Sequence, residues 1–348
     1  MSALSEGLLD HVACTATRRA PLEDCLNLSM FIREPGEVFL SHSLADRNYL
    51  LIGDGASRFL NRFSLVCVPG SFTRDRLLNT PAITLRPDQI VAMGHPRIDV
   101  LRRMQQDHAP PEPLPEGRLR VLYAPAHGGH MLRDGAQLST WPDFAPHLED
   151  LAQQHEVVTR LHPRDRQGDK AILGAELLDC DVLITDVSSA MFEAWALGKP
   201  VIFPRWLMQD KVERRYPGSA EAHICAERIG LHPDSPEEML ALLDQIRDQR
   251  AAGVPVHGSV LGEDVQEFMR LYLANYDLAP DQPDSVAQIC DLLRLQADPE
   301  YRAQVAAAAE LQRQREEARL APLRRVQTSA TRLPKAAEAK SRASIQLL

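Results

Sequence analysis

Short apolar runs rich in β-branched residues recur along most of the chain, each followed by a longer stretch with apolar positions at helical spacing. The clearest runs are Glu37–His42, Phe63–Gly70, Asp88–Gly94, Arg118–Pro125, His155–Pro163, Asp181–Asp186 and Pro200–Pro204. Each closes on polar, Gly or Pro residues, so the pattern predicts βαβ units building parallel sheets, an α/β fold. No opening strand pattern precedes Glu37. In open α/β sheets ligands gather beyond the carboxyl ends of the strands, which raises the functional prior of every residue that ends a run.

A proline-rich, charged break lies between Val100 and Arg118 and reads as an interdomain linker. The expected organisation is a shortened Rossmann-like domain at 1–105, a linker at 106–117 and a second Rossmann-like domain at 118–280. A helical extension follows at 281–326, and a disordered basic tail at 327–348. Strand signals stop beyond Pro280, where Ala, Leu, Gln, Glu and Arg predominate and favour helix. No internal repeat is visible.

The length of 348 residues suits two domains with their own cores, and 44% hydrophobic with 25% charged residues excludes a disordered or fibrous chain. A net charge of −9 gives no electrostatic case for nucleic acid. The charge is uneven: Leu311–Leu348 carries nine Lys or Arg against three Glu, a local +6 that leaves −15 on the rest. Such a tail suits an anionic lipid surface, or is simply solvated. The six cysteines lack short C-x-x-C spacing and read as reduced thiols. No run approaches the ~18–20 apolar residues of a membrane span, and the first residues lack the pattern of an export signal. The expected location is cytoplasmic, or peripheral at the inner face of the cell membrane.

Candidate chemistry clusters at the run ends. Asp186 closes one strand and Ser188 and Ser189 open the next helix, where they either cap it or add hydroxyl donors to a phosphate site. Glu193, one turn on, faces a ligand's hydroxyls or solvent. His162, with Arg160, Arg164 and Arg166 nearby, either donates to a phosphate or satisfies the turn at Pro163. Gly128 and Gly129 would let backbone approach a ligand closely. His127 and His130 lack the accompanying ligands zinc needs, and Asp179–Asp181 reads as a strand start rather than a metal motif. His42 ends a strand of the first half, as a general base toward an acceptor hydroxyl or as a structural histidine.

In order along the chain stand Ser41–Ser43 ("SHS"), Gly94–Asp99 ("GHPRID"), Tyr123–Pro125 ("YAP"), Leu161–Pro163 ("LHP") and Ile184–Glu193 ("ITDVSSAMFE"). In this series the chain resembles the CDP-glycerol glycerophosphotransferase family, the teichoic-acid and capsule polymerases of GT-B fold. Ser43 stands where that family has glycine, and Val187 where it has an aromatic residue. The resemblance implies two Rossmann-like domains facing a cleft and transfer of glycerol phosphate, or a related polyol phosphate, from a CDP-activated donor to a cell-envelope polymer or lipid-linked precursor. It implies His42 as catalytic base and His162, Ser188 and Ser189 on the donor diphosphate. Asp186 and Glu193 shape the pocket, and Arg160, Thr185 and Gly128 complete the donor side. No metal or other cofactor is implied. The competing readings are a GT-B glycosyltransferase using a UDP- or CMP-sugar, a sugar-nucleotide epimerase, and a non-catalytic envelope-assembly subunit.

Overall fold

The computed structural model describes residues 26–46, 57–115, 117–127, 138–162, 173–186, 188–252, 262–277 and 282–300, with single positions at 303, 307 and 314. It divides into two compact units, 1–292 and 293–348. The first holds two parallel sheets; the expected basic tail at 327–348 lies outside the described residues.

The first sheet is β1 (Leu28–Ser29), β2 (Val38–Leu40), β3 (Leu65–Val68) and β4 (Ile90–Ala92), in that spatial order and parallel throughout. The second is β5 (Arg120–Tyr123), β6 (Glu156–Thr159), β7 (Val182–Ile184) and β8 (Val201–Ile202), ordered β6-β5-β7-β8 and again parallel. All seven predicted strands are present. The departure is β1, a two-residue strand ahead of Glu37 that pairs Leu28 with Val38 and Ser29 with Phe39. The central strands β3, β5 and β7 are buried along their whole length, as continuous apolar runs in a sheet covered on both faces require.

Helices α1 (Ser71–Leu78) and α2 (Pro96–Asp107) follow β3 and β4. The second half adds α3 (Ala145–Gln154), α4 (Gly174–Asp179), α5 (Ala190–Ala196), α6 (Arg205–Met208), α7 (Lys211–Arg215), α8 (Ala220–Glu227), α9 (Pro236–Ala251) and α10 (Glu263–Tyr272). The last described helix, α11, is Ser285–Ala297. Pro96 at the first turn and the His95 ring, which accepts from Arg97 N, start α2. Helix α5 is buried at every position from Ala190 to Trp195, so it is a core helix rather than an amphipathic one. It is seven residues long, and Gly198 at φ +73° follows its end.

One buried cluster runs across both halves: Leu44, Ile98 and Leu101 pack with Leu122, Leu183, Phe192, Trp195, Phe268 and Tyr272. Helix α10 carries the chain back toward the first half. Tyr272 stacks on Phe192 at 4.1 Å between centroids, and its hydroxyl donates to the Leu44 carbonyl. Just beyond, the buried Asn275 accepts from His95 N at 3.2 Å and donates to Asp99 at 2.7 Å. Gly94 makes room for it: a Cβ there would sit 2.3 Å from the Asn275 amide, and its φ is +78°. We therefore expect Gly94→Ala to lower stability by about 2 kcal/mol or more, through backbone strain and displacement of Asn275. An unchanged urea midpoint would show that the joint tolerates a methyl group.

Candidate functional site

Strand β5 opens the second sheet, β6 pairs on one side of it and β7 on the other. The connections therefore leave in opposite directions beyond β5, which makes the β5/β7 carboxyl ends a topological switch point. Of the sequence-predicted residues of the second half, Thr185, Asp186, Ser188 and Ser189 follow β7, whereas Arg160 and His162 follow β6.

Asp186, at the end of β7, is fully buried. Its carboxylate accepts from Ala126 N at 2.7 Å, from Thr140 N at 2.9 Å and from the Thr140 hydroxyl at 3.2 Å. Three donors make burial of this charge tolerable, and they come from two loops it thereby joins. Ser139 strengthens the junction by donating to the Ala126 carbonyl at 2.7 Å. Thr185, expected on the donor side, is fully buried and gives its hydroxyl to the Ala124 carbonyl at 2.6 Å, so it fastens β7 to the β5 end.

The residue after Ala126 is His127, whose ring lies 4.9 Å from that of His162, beyond β6. Imidazoles from two neighbouring strand ends are thus in contact, and both are half-buried. Arg160 donates its backbone N–H to the Tyr123 carbonyl at 2.8 Å, and its guanidinium pairs with Glu176 at 3.0 Å. Ser188 and Ser189 are half-buried beside the start of α5. Ser188 Oγ accepts from Ala190 N at 3.2 Å, whereas Ser189 makes no side-chain capping bond. The local cap therefore occupies one hydroxyl of the two. Gly128, Gly129, His130, Arg164, Arg166 and Val187 lie outside the described residues.

Glu193 turns inward rather than to solvent. It is 3% exposed, and its Oε1 accepts from Arg97 Nε at 2.5 Å, a pair that joins α5 to the start of α2. Asp179 and Asp181 diverge: Asp179 pairs with His108 at 2.7 Å, while Asp181 accepts from Arg120 N at 2.7 Å and pairs with Arg250. That geometry is a strand start and not a chelate.

On the first-half side His42 is exposed. Its ring stacks on Phe31 at 4.6 Å, and its Nδ1 lies 3.3 Å from the Met30 carbonyl. Beneath it sits His95, buried, with Nε2 3.1 Å from the carbonyl of Ser41. Sequence reasoning quoted His95 and Arg97 within a motif without giving them roles, and weighed His127 only as a zinc ligand. Their signal was position alone, since each ends a strand or begins a helix. Thr140 carried no signal at all.

Two parallel sheets, the second with a topological switch point between β5 and β7, define an α/β protein, a class in which ligands gather beyond the carboxyl ends of the strands. Residues 80–211, from before β4 to the start of α7, match the family model of CDP-glycerol:poly(glycerophosphate) glycerophosphotransferase. No curated protein sequence matches the chain. Among solved structures it is similar to the wall teichoic acid polymerase TagF, at 17% identity over 76% of this chain and 69% of that one, with a TM-score of 0.48. It is also similar to a putative UDP-N-acetylglucosamine 2-epimerase from Listeria monocytogenes, at 14% identity over 74% and 67% with a TM-score of 0.42. The glycotransferase of kitacinnamycin matches at 17% identity, over 70% of this chain and 57% of that one, with a TM-score of 0.37.

The histidines also set an acid limit on the fold. Burial pushes His95 down to about 4, against the bond to the Ser41 carbonyl and helped by the Arg97 charge, and burial likewise pushes His232, stacked on Phe203, down to about 4. In the unfolded chain both take up protons near the ordinary value of about 6.5. Their contribution is therefore complete above about pH 6.5 and is lost as pH falls from there toward 4. Each shift corresponds to at most about 3 kcal/mol. Urea midpoints measured between pH 7 and pH 4.5 should fall with acid, and fall less in His232→Gln. Parallel curves for the two proteins would contradict this assignment.

Proposed function

We propose that the chain is a transferase that moves glycerol phosphate, or a related polyol phosphate, from a CDP-activated donor onto a cell-envelope polymer or its lipid-linked precursor. The observation that carries the reading is the meeting of His127 and His162 beyond the carboxyl ends of β5 and β6 in the second sheet. Ser188 and Ser189 stand at the adjoining strand end, and all four lie within the stretch that matches the glycerophosphotransferase family.

In this reading His42 takes the proton of the acceptor hydroxyl. The acceptor oxygen forms a bond to the phosphorus that bears the glycerol, the bond from that phosphorus to the bridging oxygen breaks, and CMP leaves with the electron pair. His162, Ser188 and Ser189 donate to the oxygens on which charge grows, while Asp186 and Thr185 hold the loops that carry them. Arg160 borders the same strand ends, Gly128 is assigned to the donor side, and Glu193 sets α5 against α2. The enzyme works on the cytoplasmic side of the membrane. Among the described residues no helix is long and apolar enough to cross it, and approach to a lipid-linked acceptor falls to the basic tail.

Preorganised donors aimed at developing charge are worth roughly 3–4 kcal/mol apiece, about two to three powers of ten in turnover. Purified protein given CDP-glycerol and a glycerol-phosphate acceptor should release CMP. His162→Ala and Ser188→Ala should each cut kcat by about a hundredfold while melting within a few degrees of wild type. Full activity in both variants would remove the site. Release of UDP or CMP from sugar nucleotides alone would move the reading to a glycosyltransferase, and turnover of a UDP-sugar without acceptor to an epimerase. Absence of both binding and turnover across the whole donor set would leave the non-catalytic assembly subunit.

A further inference from the structure

His95 begins α2 with its ring 4% exposed, between two backbone groups of opposite kind. Its Nε2 lies 3.1 Å from the Ser41 carbonyl and its Nδ1 lies 3.2 Å from the backbone nitrogen of Arg97. A carbonyl can only accept and a backbone N–H can only donate, so the ring's proton sits on Nε2 and its lone pair on Nδ1. Ser41 is the residue directly before His42. The same logic applies one residue on: His42 Nδ1 faces the Met30 carbonyl at 3.3 Å, which places that proton on Nδ1 and makes Nε2 the basic nitrogen. The His42 backbone N–H donates to the same carbonyl, also at 3.3 Å.

The segment at 41–42 is thus held by Met30 on one side and by His95 on the other. Behind His95 the contacts continue. Arg97, whose N–H meets the His95 ring, pairs through Nε with Glu193 on α5, the helix that starts immediately after Ser188 and Ser189.

We propose that His95 is a positioning residue for His42: by donating from Nε2 to the Ser41 carbonyl it fixes where the His42 ring stands, and through Arg97 and Glu193 it registers that ring against α5. This rests on the reading of His42 as the base given above. A ring that served stability alone would be replaceable by any residue that caps α2. A positioning ring requires a donor that reaches Ser41.

Two substitutions separate these roles in the full chain. His95→Asn keeps an acceptor for Arg97 N at the helix start but is too short to reach the Ser41 carbonyl. His95→Gln restores an N–H at about the reach of Nε2. With CDP-glycerol as donor, His95→Asn should lower kcat by between about tenfold and a hundredfold, the penalty of a misplaced catalytic group, with donor KM within about twofold of wild type. His95→Gln should recover most of that loss.

Histidine 15N NMR gives a readout that needs no donor. The His42 ring should appear as the Nδ1–H tautomer in wild type and His95→Gln, and as a mixture in His95→Asn. Equal loss of kcat in both variants, or a His42 tautomer unmoved by His95→Asn, would overturn the proposal. Wild-type protein inert toward CDP-glycerol would sink the proposed function instead, and the tautomer measurement would still decide the positioning role.

Discussion

A carboxylate removed from water needs donors around it, and three joints among the described residues are built on that constraint. Asp46, fully buried, accepts from the Thr73 hydroxyl at 2.9 Å and Ala220 N at 2.8 Å and pairs with Arg76 at 2.5 Å, so one side chain gathers α1 and the start of α8. Asp99 collects Asn275 at 2.7 Å, the Ser285 hydroxyl and Val286 N at 3.3 Å. Burial pushes its carboxyl up, against the pull of Ser285 and Asn275. Asp186 does the same for the two loops at the switch point. Apolar packing across the continuous core supplies the bulk of the attraction. It does not choose one arrangement of loops over another, and the directional bonds of these acids do.

That division of labour explains what was legible beforehand. Seven strands were readable because a buried parallel strand is written as an apolar run, as in Leu65–Val68 and Val121–Tyr123. The strand Leu28–Ser29 has no such run. Its place is set by neighbours, with Asn27 N donating to the Glu37 carboxylate at 2.7 Å and the Asn27 carbonyl accepting from the backbone N–H groups of Glu37 and Val38. A two-residue edge strand fixed by its partner leaves no trace in local pattern.

The site divides along the same line. That His162, Ser188 and Ser189 end strands or begin a helix follows from sequence, because strand ends are local events. Where a side chain turns is a tertiary matter. Glu193 meets Arg97, 96 positions away, and Thr185 meets Ala124 across a strand pair. Neither partner is visible from helical spacing, which offered Glu193 a choice of ligand or solvent and omitted the third direction, into the other half of the protein. The contact between His127 and His162 likewise required the β5–β6 pairing.

The state of His95 shows how a polar residue in such a joint becomes rigid. Protonating its ring would set an N–H at Nδ1 against the N–H of Arg97, while the Nε2 bond to Ser41 stayed as it was. One favourable contact would turn repulsive and none would be gained, on top of the cost of placing charge among buried atoms. The ring therefore stays neutral in a single tautomer, and a neutral imidazole with both nitrogens committed has no rotamer to exchange into. Helix α2 begins on that fixed point, with the ring of Pro96 locking its own φ near the helical value. Because Arg97 leaves the same turn toward Glu193, the angle at which α2 meets α5 is set by three consecutive residues, His95 to Arg97, that the chain places at the end of the first sheet.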